Sequence, residues 1–516
     1  MAKSAKNYDV VIIGGGNGGV VAGCRAALMG LKALVIEKHN MIGGAATSFV
    51  RGRFEFEASL HELQEYGTGQ PVGQLRKLFQ DLGVELECVE LPDAFRLVIS
   101  DGVTKSMDVT IPHGREKFFA YMEEQCPGCT PSIEAVFKAA EEINRAMPYI
   151  GMSRGKPDPE VLKRDYPEYC RLSTLSAGAA FELFGMPQKC IDIFSAYWPY
   201  QGSDIYTIDC TRYFLMEYGY FLNGAYLPKM RSHELANNVE KRARELGCEF
   251  WTETEVTKIL TKNGAVCGVE TADGRRVEAT AVIANCFPEV AYGKLLDNKA
   301  LVPKYEKQKI NARSYGFRGL SVYLGLDATA EELGIHDYNI FLAPSVDTVE
   351  LFNQCKSRDT ITSLSCTCQN VPIPDATPAG TCMMSLTGSF TAEAWNDVTE
   401  ETYAKEKSKF AGRMIDYYEK AMGVDLRSHI EEIAIATPVT FARYLGTPQG
   451  SIYGYHASEW DGTSTRNLVG ALEPTIPGLF FCGAHANNCS GFFPTLSSGN
   501  VAAMQAMGYV MGGGKR

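Results

Sequence analysis

Residues 8–28 constrain what this chain can fold into more than any other stretch. Tyr8-Asp9-Val10-Val11-Ile12-Ile13 reads as a short buried strand, rich in β-branched residues. Gly14-Gly15-Gly16-Asn17-Gly18-Gly19 follows at once, and Val20 to Leu28 continues as a helix of small residues. Strand, then G-x-G-x-x-G, then helix is the context that gives the glycine motif meaning. Gly14 permits the tight turn, Gly16 lets the main chain approach a pyrophosphate, and Gly19 lets helix and strand pack closely. The loop, Asn17 and Gly18 included, leads into a helix N-terminus that offers free N–H groups and partial positive charge to phosphates. A second apolar strand, Ala33-Leu34-Val35-Ile36, ends at Glu37 and Lys38, and Glu37 stands 18 residues after Gly19. An acidic side chain there can accept both hydroxyls of an adenosine ribose and disfavours a 2′-phosphate, which points to FAD or NAD.

Six residues after Glu37 comes a second glycine pair, Gly43-Gly44-Ala45-Ala46-Thr47. Position by position this resembles flavoproteins of the amine-oxidase and carotenoid-desaturase type, and the resemblance implies FAD. Phe54-Glu55-Phe56-Glu57-Ala58-Ser59-Leu60-His61 resembles the aromatic–acid–small–His segment of phytoene desaturases, carotenoid isomerases and retinol saturases. Ala436-Thr437-Pro438 with Tyr453-Gly454 is similar to their Thr-Pro and Gly-x-x-x-Gly region, and Gly483-Ala484-His485 fills the place of their C-terminal Gly-Ala segment. The chain departs from them at Asn487-Asn488-Cys489-Ser490-Gly491-Phe492-Phe493, where desaturases run glycine-rich. The resemblance implies that Val256 lays its backbone along adenine and that Asn285 closes the second cofactor segment. It implies too that Leu60 and His61 lie on a strand facing the isoalloxazine. Gly483 and Ala484, then Thr495 and Leu496 at the start of a C-terminal helix, would offer N–H groups to flavin O2 and ribityl oxygens. A positive dipole end there stabilises reduced flavin.

At 516 residues the chain exceeds one ordinary core, so two or three domains are expected. The expected class is α/β: a Rossmann-type FAD-binding domain interleaved with an α+β substrate-binding domain. The cofactor domain takes 1–70, 221–300 and 466–516; the substrate domain takes 71–220 and 301–465. Residues 71–220 read as helical and aromatic-rich, with a loop over Gly151 to Pro159. Cofactor-domain character returns with a helix over Ser232 to Leu246, a strand over Glu249 to Thr252, and a hairpin pairing Thr254–Leu260 with Val266–Thr271 around Lys262-Asn263-Gly264. Further strands are expected at Val277–Ile283, Leu320–Leu326 and Ile476–Ala484, the last ending on Gly483, and a long helix over Glu401–Met422.

Composition excludes several classes. Hydrophobic content of 45%, charged content of 22% and mean hydropathy of −0.13 describe a soluble globular protein. A net charge of −11 without a Lys/Arg stripe argues against nucleic acid. No run of 18 apolar residues exists and the first strand starts within eight residues, so neither signal peptide nor membrane span is expected. That suggests a cytoplasmic protein, with peripheral membrane contact allowed for a lipid-soluble substrate. Sixteen cysteines then fit a reducing compartment. Cys126/Cys129 and Cys366/Cys368 lie too far apart in sequence for an ordinary zinc site, so no metal is expected. No cysteine lies in Gly43–Thr47, which disfavours a flavin disulfide reductase.

No second G-x-G-x-x-G follows a strand, so electrons should pass through the substrate, oxygen, a quinone or another protein. Tyr197, Trp198, Tyr200, Tyr206, Tyr213, Phe214, Tyr218, Tyr220 and Phe221 crowd one window. Such rings suit a polyene, isoprenoid, steroid or aryl-conjugated acid, and equally suit core packing. The expected activity is hydride transfer between flavin N5 and a carbon–carbon bond of a large apolar or conjugated substrate. His61 and His485 are the candidate acid–base groups. Arg443 and Tyr444 could anchor a carboxylate or donate a proton, and Glu57 is better placed to orient a turn. Alternatives are a redox-neutral isomerase, separated by electron stoichiometry; an amine oxidase, which usually wants a lysine near N5; and a non-enzymatic prenyl-chain escort, which would be colourless.

Overall fold

The computed structural model describes residues 6–68, 72–153, 155–457, 459–470, 474–486 and 491–514. Its first sheet runs, in spatial order, Val256–Lys262, Ala265–Thr271, Arg276–Ala284, Lys6–Ile13, Ala33–Ile36, Glu249–Trp251, and Leu479–Phe481 pairs with the end of Arg276–Ala284. The four strands from Arg276–Ala284 to Glu249–Trp251 are parallel. Val10, Val11, Ile12, Leu34 and Val35 are fully buried. Such unbroken apolar runs are what a parallel sheet covered on both faces requires. Helices Asn17–Leu28, Ser232–Glu245 and Phe492–Met511 share one core with Val10, Ile12 and Val35. Val11, Ile13 and Leu34 pack on the other side with Tyr292, Leu295 and Ile310. The expected hairpin forms, with Lys262 paired to Ala265 across Asn263 (φ 53°) and Gly264 (φ 81°). Two successive positive φ angles are the backbone a two-residue hairpin turn needs.

A second sheet runs Ile430–Ala436, Arg318–Leu326, Cys382–Phe390, Leu364–Cys368, Asn339–Ala343, Phe95–Ser100, Lys105–Ile111. Every pair is antiparallel except Asn339–Ala343 with Phe95–Ser100. Side chains alternate along a strand, and here the alternation separates two chemistries. Leu320, Val322, Leu324 and Leu386 pack on Phe410, Met414 and Tyr418 of the helix Glu400–Met422. Ser321, Tyr323, Ser365, Thr387 and Ser389 face the opposite way, into a cavity.

Residues 71–220 are less purely helical than their sequence suggests. Strands Cys88–Glu90, Phe95–Ser100 and Lys105–Ile111 lie there, the last two joined through Ser100-Asp101-Gly102. The β-branched run before that turn carries the hairpin signal. The helix Thr130–Met152 extends into the expected loop despite Pro148. Cys126 and Cys129 are buried near Cys190, and burial pushes all three thiols up. Cys366 and Cys368 are buried on a strand of the second sheet.

The helices Asn17–Leu28 and Phe492–Met511 meet backbone to backbone. A methyl at Gly499 would lie 2.0 Å from the Gly18 carbonyl oxygen. Gly499→Ala should therefore force these helices apart and cost about 1–3 kcal/mol, as overpacking does. Thermal unfolding of the variant beside the parent measures this; an unchanged midpoint would contradict the packing described.

Candidate functional site

A cavity of about 1250 Å³ opens between the carboxyl ends of the first sheet and the hydroxyl-bearing face of the second. Its volume exceeds the roughly 300–1,000 Å³ of ordinary ligand pockets, leaving room for a cofactor and a second molecule. Open α/β sheets bind ligands at this end of their strands.

Three stretches far apart in sequence build the first part of the wall. Gly14, Gly16, Asn17, Glu37 and Lys38 come from the first two strand ends, with Gly44 and Ala45 beside them. Val256 and Asn285 come from the second stretch; Gly483, Ala484, His485 and Thr495 from the third. Gly43 N–H donates to Gly15 O at 2.8 Å, Asn285 N–H to Ile13 O at 2.9 Å, and Gly483 N–H to Ser498 Oγ at 2.9 Å. Gly18, Gly19, Gly43, Ala46 and Leu496 stand outside the wall: a Cβ at Gly19 would sit 1.9 Å from Gly14 O, and Leu496 is fully buried in the core.

These residues fit a dinucleotide. The helices Asn17–Leu28 and Phe492–Met511 both begin at the cavity, and neither has a side-chain cap or an acidic residue in its first turn. Their first N–H groups have no partner within the helix, so each end favours an anion. A Cβ on Gly44 would lie 3.0 Å from Gly16 Cα, so the bare backbones form a slot that a side chain would fill. The Glu37 carboxylate accepts from Gly15 N–H at 2.7 Å and His39 N–H at 2.8 Å, which fixes its orientation and leaves lone pairs for ribose hydroxyls.

The rest of the wall carries chemistry. The strand Phe54–Glu57 stops short of His61, which lies in the irregular segment beyond it rather than on a strand. Glu57 holds that segment: its carboxylate accepts from Ser59 N–H, Leu60 N–H, Ser232 N–H and Ser232 Oγ at 2.7–3.1 Å. Tyr338 donates to the His61 carbonyl. Leu60 and His61 line the cavity, and the His61 ring lies 5.8 Å from that of Tyr200. Burial alone lowers His61 to about 4. His485 is lowered to about 3, first by burial and then by Arg313; its ring lies 4.9 Å from Phe287. Both imidazoles are neutral at pH 7.

On the helix Pro438–Leu445, Thr440, Phe441, Tyr444 and Leu445 line the cavity; exposed Arg443 does not, because it falls on the opposite face. Tyr444 stands at the rim, 56% exposed, with the Arg443 guanidinium 5.9 Å from its ring. Of the aromatic window only Tyr200 and Tyr220 reach the wall; Tyr197, Tyr213, Phe214 and Phe221 are core. Asn487, Asn488, Cys489 and Ser490 lie outside the described residues. Sequence reasoning did not find Glu62 or the seryl and threonyl floor, whose Ser321 and Thr387 hydroxyls are 2.9 Å apart. Strand alternation was the signal for the floor; no sequence signal marks Glu62.

A model of the family "FAD dependent oxidoreductase" matches residues 9–100. All-trans-retinol 13,14-reductase of Danio rerio is 23% identical, over 95% of this chain and 84% of the relative. The chloroplastic prolycopene isomerase of Daucus carota is 22% identical, over 92% of this chain and 77% of the relative. Cyclohexylamine oxidase from Brevibacterium oxydans shares the fold, with a TM-score of 0.60 and 14% identity over 98% of this chain and all of that one. This chain is an FAD-dependent oxidoreductase, similar along most of its length to flavoproteins of the amine-oxidase-like kind.

Hydrogen bonds to a charged group generally contribute about 1.5–3 kcal/mol. Glu37→Ala should therefore weaken FAD binding by roughly 10- to 100-fold. Equilibrium dialysis of flavin measures it; unchanged retention would remove Glu37 from the site.

Proposed function

We propose that this oxidoreductase moves hydride between its flavin and a carbon–carbon bond of a large, conjugated, apolar substrate. The observation that carries the reading is the second half of the cavity, walled by Tyr200, Met216, Tyr220, Phe441 and Tyr453 and continuous with the cofactor half. Aromatic walls with few charges match a conjugated chain in shape and polarity. Relatives named for retinol reduction and prolycopene isomerisation support the same substrate class. Against amine oxidation, the lysines of the described wall are Lys38, beside Glu37, and Lys294, whose ammonium pairs with Glu255 at 3.5 Å.

Bound FAD supplies two-electron hydride chemistry at N5. The chain's own residues bind, orient and keep the site dry. Glu37 and Val256 hold the adenosine end. The helix at Asn17 faces the diphosphate, while Gly483, Ala484 and Thr495 face the opposite end, where a positive dipole favours the reduced anion. Neutral His61 orients the substrate and accepts a hydrogen bond at its ring, and His485 positions the cofactor from the Phe287 side. Tyr444 at the rim meets the polar end of an entering substrate. The rim also exposes Met41 and Val50, so an apolar molecule enters over apolar surface from a membrane or carrier. Electrons come from an external donor or leave to an external acceptor.

Among the described residues, no helix is long and apolar enough to cross a membrane. The test is anaerobic. The photoreduced protein is mixed with all-trans-retinol, an acyclic carotenoid and an aryl-conjugated enoate, while the oxidised protein is mixed with their saturated forms and with putrescine. One flavin reoxidised or bleached per conjugated bond changed is the expected result, and geometric change without net electron transfer would assign the isomerase instead. Bleaching by putrescine alone would overturn the reading.

A further inference from the structure

Both candidate histidines are neutral at pH 7, yet adding or removing hydrogen across a carbon–carbon bond moves a proton as well as a hydride. A cluster on the cavity wall suits that task. Glu62, 5% exposed, follows His61 in the irregular segment; Tyr200 comes from the short helix Trp198–Gln201; Asn339 opens the strand Asn339–Ala343. The Tyr200 hydroxyl donates to Glu62 Oε1 at 3.3 Å, and Asn339 Nδ2 donates both to Glu62 Oε1 and to the Tyr200 oxygen, the latter at 3.3 Å. Glu62 Oε2 is buried without a partner. Glu62 makes no ion pair among the described residues. The groups facing it are the phenols of Tyr197, Tyr200, Tyr220 and Tyr338, and Asn339. A carboxylate so placed has two donated hydrogen bonds but no cation to offset its lost hydration, whereas a neutral carboxylic acid needs none.

We infer that Tyr200 exchanges a proton with the substrate carbon not served by hydride, and that Glu62, steadied by Asn339, is the reserve that recharges it. The inference rests on the carbon–carbon reading above. In the saturating direction, hydride from the reduced flavin forms a C–H bond at one alkene carbon, and the π bond breaks. Its electron pair, now on the neighbouring carbon, takes the proton from Tyr200 Oη as that O–H bond breaks. The hydrogen bond between Glu62 Oε1 and the Tyr200 oxygen, 3.3 Å apart, reverses as the Oε1 proton passes to Tyr200, and Glu62 regains one from solvent between turnovers. Alkene, hydride and proton thus sum to the saturated product; desaturation runs the same transfers backwards. Burial, against which the bonds from Tyr200 and Asn339 work only in part, holds Glu62 up at about 8. At neutral pH the cluster therefore rests loaded with a proton, poised for saturation. A protonated carboxylic acid kept as a donor by an apolar site has precedent in ketosteroid isomerase.

Infrared difference spectra of the FAD-loaded protein test this without turnover. The parent at pH 7 should show the carbonyl stretch of a protonated carboxylic acid, lost in Glu62→Gln and moved in Tyr200→Phe. The second assay mixes photoreduced protein with all-trans-retinol in D2O. Tyr200→Phe should slow flavin reoxidation about 100-fold or more, with flavin content and visible spectrum unchanged, while parent product carries one solvent deuterium. No carboxylic acid band, or a band indifferent to Tyr200→Phe, overturns the inference. So does an unchanged reoxidation rate in Tyr200→Phe. If the parent leaves retinol untouched, the substrate reading fails and the infrared result alone decides the proton couple. Should Tyr200→Phe not fold, Glu62→Gln decides it: the band should be lost and flavin reoxidation slowed, and an unchanged rate overturns the inference.

Discussion

The whole arrangement depends on backbone meeting backbone at Gly18. A Cβ there would lie 2.9 Å from the Gly483 nitrogen, and the Gly18 carbonyl in turn abuts Gly499. One bare position thus lets the first helix, the end of the last strand and the last helix come together, although nearly the whole chain separates them. Because the helices can close on one another, both of their N-termini reach the same cavity, where two positive dipole ends would favour one anionic ligand. Bulk at this point would part the cofactor wall before it touched a single ligand contact.

The second constraint is the two-faced sheet. Its apolar face is satisfied by the helix Glu400–Met422, so its other face is free to be chemical. That face gives the cavity a floor of Ser321, Ser365, Thr387 and Ser389, set against the aromatic wall of Tyr200 and Tyr220. A conjugated substrate of the kind proposed would have a soft side and a hydrogen-bonding side there, which would set its orientation. Glu57 links the two halves, since its carboxylate ties the segment carrying His61 and Glu62 to the N-terminus of the helix Ser232–Glu245.

The cofactor half was legible because its signals are local. A strand, its glycine turn and the acid at the next strand's end sit within thirty residues, so spacing alone locates Gly14, Gly16 and Glu37 in the wall. The hairpin around Asn263-Gly264 was legible for the same reason. Gly18 was read as a ligand residue because sequence shows that a glycine is needed, not which backbone approaches it. Arg443 was misread since helical phase decides which side faces the cavity. Glu62 escaped because nothing within its own segment distinguishes it; only tertiary contact with Tyr200 and Asn339, 138 and 277 residues away, gives it a function.

Stretches far apart in the chain would grip one molecule from adenine to isoalloxazine. Titrating flavin-free protein with FAD, and in parallel with FMN, tests it most directly. One FAD per chain with far weaker FMN binding is the predicted result, because FMN lacks the adenosine that Glu37 and Val256 would hold. Equal binding of the two, or folded protein that takes up neither, would contradict the account.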